Sequence, residues 1–133
     1  MPVKSDPATW SDPRHLRGLE GEVVAIQYLQ RLGWKILAHR FRMGRLEIDL
    51  VAQQKNVVAF VEVKTRWTDG FGDPREAITW TKKREIRRVA SAWIDRHGGA
   101  DLIYRFDLVG VRMRPGHEPR IFHIPDAFRC DWR

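Results

Sequence analysis

Apolar positions along the chain change period several times, and each change marks an element. From about Arg17 to Leu32 they recur at helical spacing. At about 100° per residue, Ala25, Ile26 and Leu29 fall in one narrow arc with Glu22 at its centre. Gly33 ends this helix, and Trp34-Lys35-Ile36-Leu37-Ala38 begins a first strand. Between Leu46 and Arg66 the period is two: Leu46 to Ala52 and Val57 to Arg66 read as strands joined by a polar break at Gln53 to Asn56, the pattern of a hairpin. Strand side chains alternate faces, which puts Glu47, Asp49 and Val51 on one side and Leu46, Ile48, Leu50 and Ala52 on the other. In the second strand Glu62 and Lys64 project opposite Val61 and Val63. A helical pattern returns from about Arg75 to Asp95, with Ile78, Ile86, Val89, Ala90 and Trp93 as its apolar face and Lys82 in the middle of that face. After His97-Gly98-Gly99, Arg105 to Val111 and Arg120 to Ile124 form a second hairpin across Pro115-Gly116. The order helix, three strands, helix, two strands predicts an α/β fold: a mixed central sheet of about five strands flanked by helices.

Ionisable groups interrupt the most apolar part of this pattern. Asp49, Glu62 and Lys64 sit among residues that otherwise favour burial, and an unpartnered buried carboxylate is costly unless it is paired or bound to a metal. Two carboxylates suit Mg²⁺ or Mn²⁺, hard cations that take oxygen ligands and keep several waters. Such an ion polarises a phosphate and lowers the pKa of an attacking water, while a lysine beside it orients that water or neutralises charge in the transition state. Asp49 followed 13 positions on by Glu62-Val63-Lys64 resembles the PD-(D/E)xK nuclease signature. The plainer alternative is a salt-bridged strand pair. The Asp on the preceding strand, with alternation intact around it, favours the site. Glu22, inward-facing on the first helix, fits as a further member, although a carboxylate in the first turns of a helix is also favoured by the helix dipole. Lys82 either snorkels along its stem or reaches the carboxylates. With Glu47, on the Asp49 face, it is counted as auxiliary.

Composition adds a partner. The 133 residues suit one domain: an N-terminal arm over 1–16, with three prolines, and a folded unit over 17–133. The formal net charge of +7, from 24 basic and 17 acidic residues, favours a polyanion, most simply nucleic acid. Arg66, Lys83, Arg84, Arg87 and Arg88 are the candidate phosphate contacts. No apolar run approaches a membrane span, no signal-peptide core is visible, and the one cysteine, Cys130, fits a reducing cytoplasm. The loop from Trp67 to Pro74 is a candidate flap, with Trp67 or Phe71 placed to stack on bases.

With the motifs placed, a family resemblance emerges. Gly18-Leu19-Glu20-Gly21-Glu22, Ala25, Tyr28-Leu29 and Gly33 open it. Glu47-Ile48-Asp49-Leu50-Val51-Ala52, Phe60-Val61-Glu62-Val63-Lys64-Thr65-Arg66, Phe71-Gly72-x-Pro74, Lys82, Arg105-Phe106-Asp107 and Asp126-Ala127-Phe128 continue it. Over about residues 17 to 128 the chain resembles the YraN-type family of bacterial proteins, which is similar in fold to restriction-endonuclease-like enzymes and nearest to archaeal Holliday-junction resolvases. It departs from that family's usual pattern at Leu46 and Arg40. The resemblance implies metal ligands at Asp49 and Glu62, with the Val63 carbonyl completing the set, a catalytic Lys64 and a supporting Glu22. It implies cleavage of structured or branched DNA, and a homodimer that presents two sites, with Phe122 and Phe128 as interface candidates and Trp34 and Trp93 as core. The rival expectation is a nucleic-acid-binding protein that keeps the fold without turnover.

Overall fold

The computed structural model describes residues 13–67 and 78–128, with side chains described from Leu19 onward in the first helix. Its elements are α1 (Pro13–Arg31), β1 (Lys35–Met43), β2 (Leu46–Gln54), β3 (Val57–Arg66), α2 (Trp80–His97), β4 (Ile103–Arg114) and β5 (His117–Phe128). The strands form one sheet in the order β1-β2-β3-β4-β5. Neighbours are antiparallel except β3 and β4, which run parallel across the connection that contains α2. This is the expected α/β architecture, a mixed five-stranded sheet with helices on its faces, consistent with a restriction-endonuclease-like fold.

Several boundaries differ from those expected, each for a local reason. Helix α1 begins at Pro13, so residues 13–16 belong to the helix rather than to an arm; proline's fixed φ suits a first helical position. Its other end is as expected. Gly33, at φ 93°, closes a Schellman motif in which its own N–H and that of Trp34 donate to the carbonyls of Gln30 and Leu29. Helix α2 starts at Trp80, because the Thr79 hydroxyl accepts the Lys82 N–H as an N-cap. Ile78, expected on that helix, is instead buried just ahead of it. The hairpin strands β4 and β5 are longer than their apolar cores suggest, since ladder bonds continue through polar residues to the Pro115-Gly116 turn. Residues 1–12, Phe71 and Cys130 lie outside the described residues.

Two apolar clusters sandwich the sheet. One joins Ile86, Val89, Ala90 and Trp93 of α2 to Phe41, Ile48, Val51, Phe60 and Phe106. The other joins Ala25 and Leu29 of α1 to Trp34, Leu50, Ala52, Val61, Val63 and Val109. Trp34 and Trp93 are thus core residues. Phe128 stacks on Phe106 at 4.8 Å between ring centroids, while Phe122 remains 43% exposed on the edge strand β5.

The clusters correct one expectation about β2. Ile48 packs with Val51 toward α2, whereas Leu50 and Ala52 pack toward α1. Strict alternation fails between Ile48 and Leu50, opposite the point where Arg40 of β1 takes the left-handed conformation at φ 58°.

Candidate active site

The irregularity places Asp49 at a fork. Strands β2 and β3 are paired from Gln54↔Val57 as far as Leu50↔Val61, and beyond that rung β3 continues paired with β4 alone. A backbone N–H left facing such a gap needs an acceptor. The Val63 N–H donates to Asp49 Oδ2 at 2.8 Å, which pins the carboxyl in the mouth of the fork.

Glu62, buried on the neighbouring strand, lies close enough to Asp49 for its negative charge to act on it. Two adjacent negative charges repel, which disfavours the ionised form of a carboxyl placed beside another. Burial, and then the negative charges of Glu62 and Glu22, push the Asp49 carboxyl well above the usual aspartate range. Lys82 Nζ reaches to 3.9 Å from Glu62 Oε2, so the lysine on the apolar face of α2 leans toward the carboxylates. Lys64, half-buried one residue beyond Val63, makes no side-chain hydrogen bond or ion pair among the described residues.

Glu22 reaches this neighbourhood because α1 comes unusually close to β3. A Cβ added at Gly21 would stand 1.8 Å from the Thr65 hydroxyl oxygen and 2.8 Å from Thr65 Cβ, so only glycine permits the approach. The Glu22 carboxylate is itself fully engaged. Oε1 accepts Arg40 Nε at 3.0 Å and lies 2.8 Å from His39 Nε2, and Oε2 accepts Arg40 Nη2 at 2.7 Å. Burial alone would raise its pKa, but the hydrogen bonds from His39 and Arg40 outweigh that and hold it below the ordinary value. Glu22 thus acts on Asp49 through its charge while its oxygens are held by β1.

Sequence reasoning missed His39 as a partner and named Arg40 only as a departure. The available signal was two consecutive polar residues between Ala38 and Phe41, which a regular strand would send to opposite faces. It also missed a second network. Asp107, buried on β4, accepts Arg105 Nε and Nη2 at 2.9 and 3.1 Å and the Asp126 N–H at 3.0 Å, and lies 2.8 Å from His123 Nε2. Tyr28 of α1 contacts the other ring nitrogen of His123 at 3.3 Å.

The remaining candidates are spread outside the fork. Glu47 accepts Arg42 Nε at 2.7 Å in an exposed cross-strand pair. Arg66 Nη1 donates to the Thr65 carbonyl. Lys83 lies over the Phe128 ring, 5.6 Å from its centroid, apart from the three arginines of α2. Arg84, Arg87 and Arg88 line an open cavity of about 390 Å³ together with Met43 and Ser91.

The donors at the fork are carboxyl oxygens, the atom type that hard divalent ions prefer. Among the described residues no three His, Cys, Asp or Glu side chains converge as a metal-binding group; the fork brings together two carboxyls, those of Asp49 and Glu62. Mg²⁺ favours such a set, because it keeps much of its water and needs only one or two carboxylates. Among the described residues no helix is long and apolar enough to cross a membrane.

The chain is similar to bacterial proteins of matching length. A UPF0102 protein of Nocardia farcinica is 44% identical over 111 residues, covering 84% of this chain and 87% of the relative. One from Geobacter sulfurreducens is 42% identical over the same shares, and one from Caldicellulosiruptor saccharolyticus is 43% identical over 76% of this chain and 86% of its own. The profile of the family described as "Uncharacterised protein family UPF0102" matches residues 21–111, a span that holds Gly21, Glu22, Asp49, Glu62, Lys64, Lys82 and Asp107. By its motifs, its relatives and this match, the chain belongs to the UPF0102, or YraN-type, family.

Proposed function

We propose that the protein is a divalent-metal-dependent nuclease that hydrolyses phosphodiester bonds in structured or branched DNA. One observation carries the reading: two carboxyl side chains, Asp49 and Glu62, brought together at the fork of β2 and β3, with Asp49 held by the Val63 N–H and Lys64 one residue further along β3. Two carboxyls set close together repel when ionised, and a hard cation held between them would relieve that repulsion. Asp49 and Glu62 would hold Mg²⁺ or Mn²⁺ there, whose chemistry would be to place positive charge by the scissile phosphate and to acidify a water. The chain's own groups do the rest. The Val63 N–H fixes the Asp49 orientation, Lys82 steadies Glu62, and Lys64 offers an ammonium to the attacking water or to charge developing on phosphorus. Cytoplasmic DNA fits the basic balance of the chain.

A binding protein without turnover is the second reading, favoured by one feature. Arg40 and His39 occupy the Glu22 oxygens, so Glu22 is withheld from a second ion. Purified protein with Mn²⁺, incubated with linear, flapped and four-way-junction DNA, separates the two. The expected result is cleavage that Asp49→Ala and Glu62→Ala each reduce at least about a hundredfold while DNA affinity is kept. Equal cleavage by all three proteins, or Mn²⁺ binding with no cleavage of any substrate, rules the nuclease out.

A further inference from the structure

Helix α2 turns two different surfaces outward and inward. At about 100° per residue, Ile86, Val89 and Trp93 face the sheet, while Trp80, Arg84, Arg87, Arg88 and Ser91 fall in one arc on the opposite side. Those five residues run about 16 Å along the helix at its usual rise. Four of them do what a solvated helix face does. Trp80 does not. It is 77% exposed, the most exposed large apolar side chain among the described residues, and it stands at the first helical position. The Arg84 guanidinium lies 5.8 Å from its ring centroid. Beside this pair begins the cavity of about 390 Å³ lined by Arg84, Arg87, Arg88, Ser91 and Met43 of β1.

An indole kept in water loses the free energy its burial would give, and a guanidinium over one side of it sets the ring's orientation. The combination is a flat π surface backed by a cation, followed by a row of guanidinium groups in a concave channel. A base presents a π-face to such a surface only when it is unpaired, since the faces of paired bases are covered by their neighbours in the stack. Phosphates following that base along its strand meet the arginines, whose planar forks suit phosphate oxygens. Lys82, two residues from Trp80, points from the same helix toward Glu62. The stripe and the fork are thus linked through one rigid element.

We infer that the outer stripe of α2 binds an unpaired segment of nucleic acid, with one base stacked on Trp80 and the adjoining phosphates held by Arg84, Arg87 and Arg88. The inference rests on the nucleic-acid reading above but not on its chemistry, because binding is read without metal.

The test uses the full chain in EDTA, with fluorescence anisotropy of a labelled single-stranded thymidine oligonucleotide and of a blunt duplex of equal length. Trp80→Ala is expected to weaken single-strand binding about 5- to 100-fold, the range for losing one base stack, and duplex binding by less than about twofold. Trp80→Phe, which keeps a π surface, is expected to recover most of the loss. Arg88→Ala is expected to weaken both ligands and to reduce the salt slope by about one. Three results overturn the proposal: unchanged single-strand affinity in Trp80→Ala, an equal loss on both ligands, or failure of the wild type to bind the single strand. Loss of cleavage in Mn²⁺ with this binding intact would count against the nuclease reading alone.

Discussion

At Glu22 two basic side chains of one strand converge on a single carboxylate, and the pair is buried. Removing one member of a buried ion pair leaves the other without compensation, at a cost of about 3–5 kcal/mol. Glu22→Gln is expected to destabilise the protein by that amount at pH 7. The pH dependence follows from the sign of the shift. The Glu22 carboxyl is depressed below the ordinary glutamate value of 4.5, so its contribution is complete above that value and is lost as pH falls through the folded-state value. Once protonated, Glu22 resembles glutamine. Denaturant unfolding of wild type and Glu22→Gln should therefore show a gap at pH 7 that narrows as pH falls below 4.5; a gap independent of pH would mean that the carboxylate charge is not what matters. The inward position of Glu22 was legible from helical spacing. Its partners were not, because they depend on Arg40 adopting φ 58°, which sends His39 and Arg40 to one side of β1 and upsets the alternation of β2 opposite. Asp49 and Glu62 were legible as a pair, since each interrupts an apolar strand.

Between elements, the contact that sets the site's depth is the crossing of α1 over β3 at Gly21 and Thr65. In an isolated helix Gly→Ala would stabilise by about 1 kcal/mol. Here the added methyl meets Thr65 Oγ1 at 1.8 Å, with Cβ and Cγ2 both at 2.8 Å, so rotating the threonine does not clear it. Gly21→Ala is expected to cost about 1–3 kcal/mol, as overpacking does, and to push Glu22 away from its β1 partners. Pairing it with Thr65→Ala, which removes the nearest atom, should recover part of the loss. Thermal unfolding of the two single variants and the double variant checks this, and a stabilised Gly21→Ala would show that the helix is free to move. The existence and type of all seven elements could be read from periodicity. Some of their ends could too, as at Gly33 and over Val57–Arg66, but not those that capping by Thr79 or ladder bonds through polar residues decided. The clamp of Asp107 on Arg105, His123 and the Asp126 N–H was hidden for another reason: it joins residues of β4 to the far end of β5, and only the folded hairpin brings them together.

At the scale of the whole molecule, charge and edge chemistry together decide how copies meet. Each chain carries a formal +7, so two free copies repel at low ionic strength. The edge strand β5 contains Pro119, Pro125, Glu118 and Arg120, features that discourage edge-to-edge pairing. Phe128 is taken up by its stack on Phe106, which leaves Phe122 as the apolar contact this strand offers. That is little surface for a stable free dimer, which usually buries about 800 Å² per partner. A branched nucleic acid changes the balance, because its phosphates neutralise both copies and its near two-fold symmetry matches that of a dimer. The proposed nuclease is therefore expected to be a monomer alone and to assemble as two chains on one four-way junction. Sedimentation equilibrium in EDTA at micromolar protein, with and without the junction, measures this directly. A dimer mass without nucleic acid would show that the exposed face of β5 is a stronger interface than its chemistry indicates, and a single chain per junction at saturation would remove the case for paired cuts.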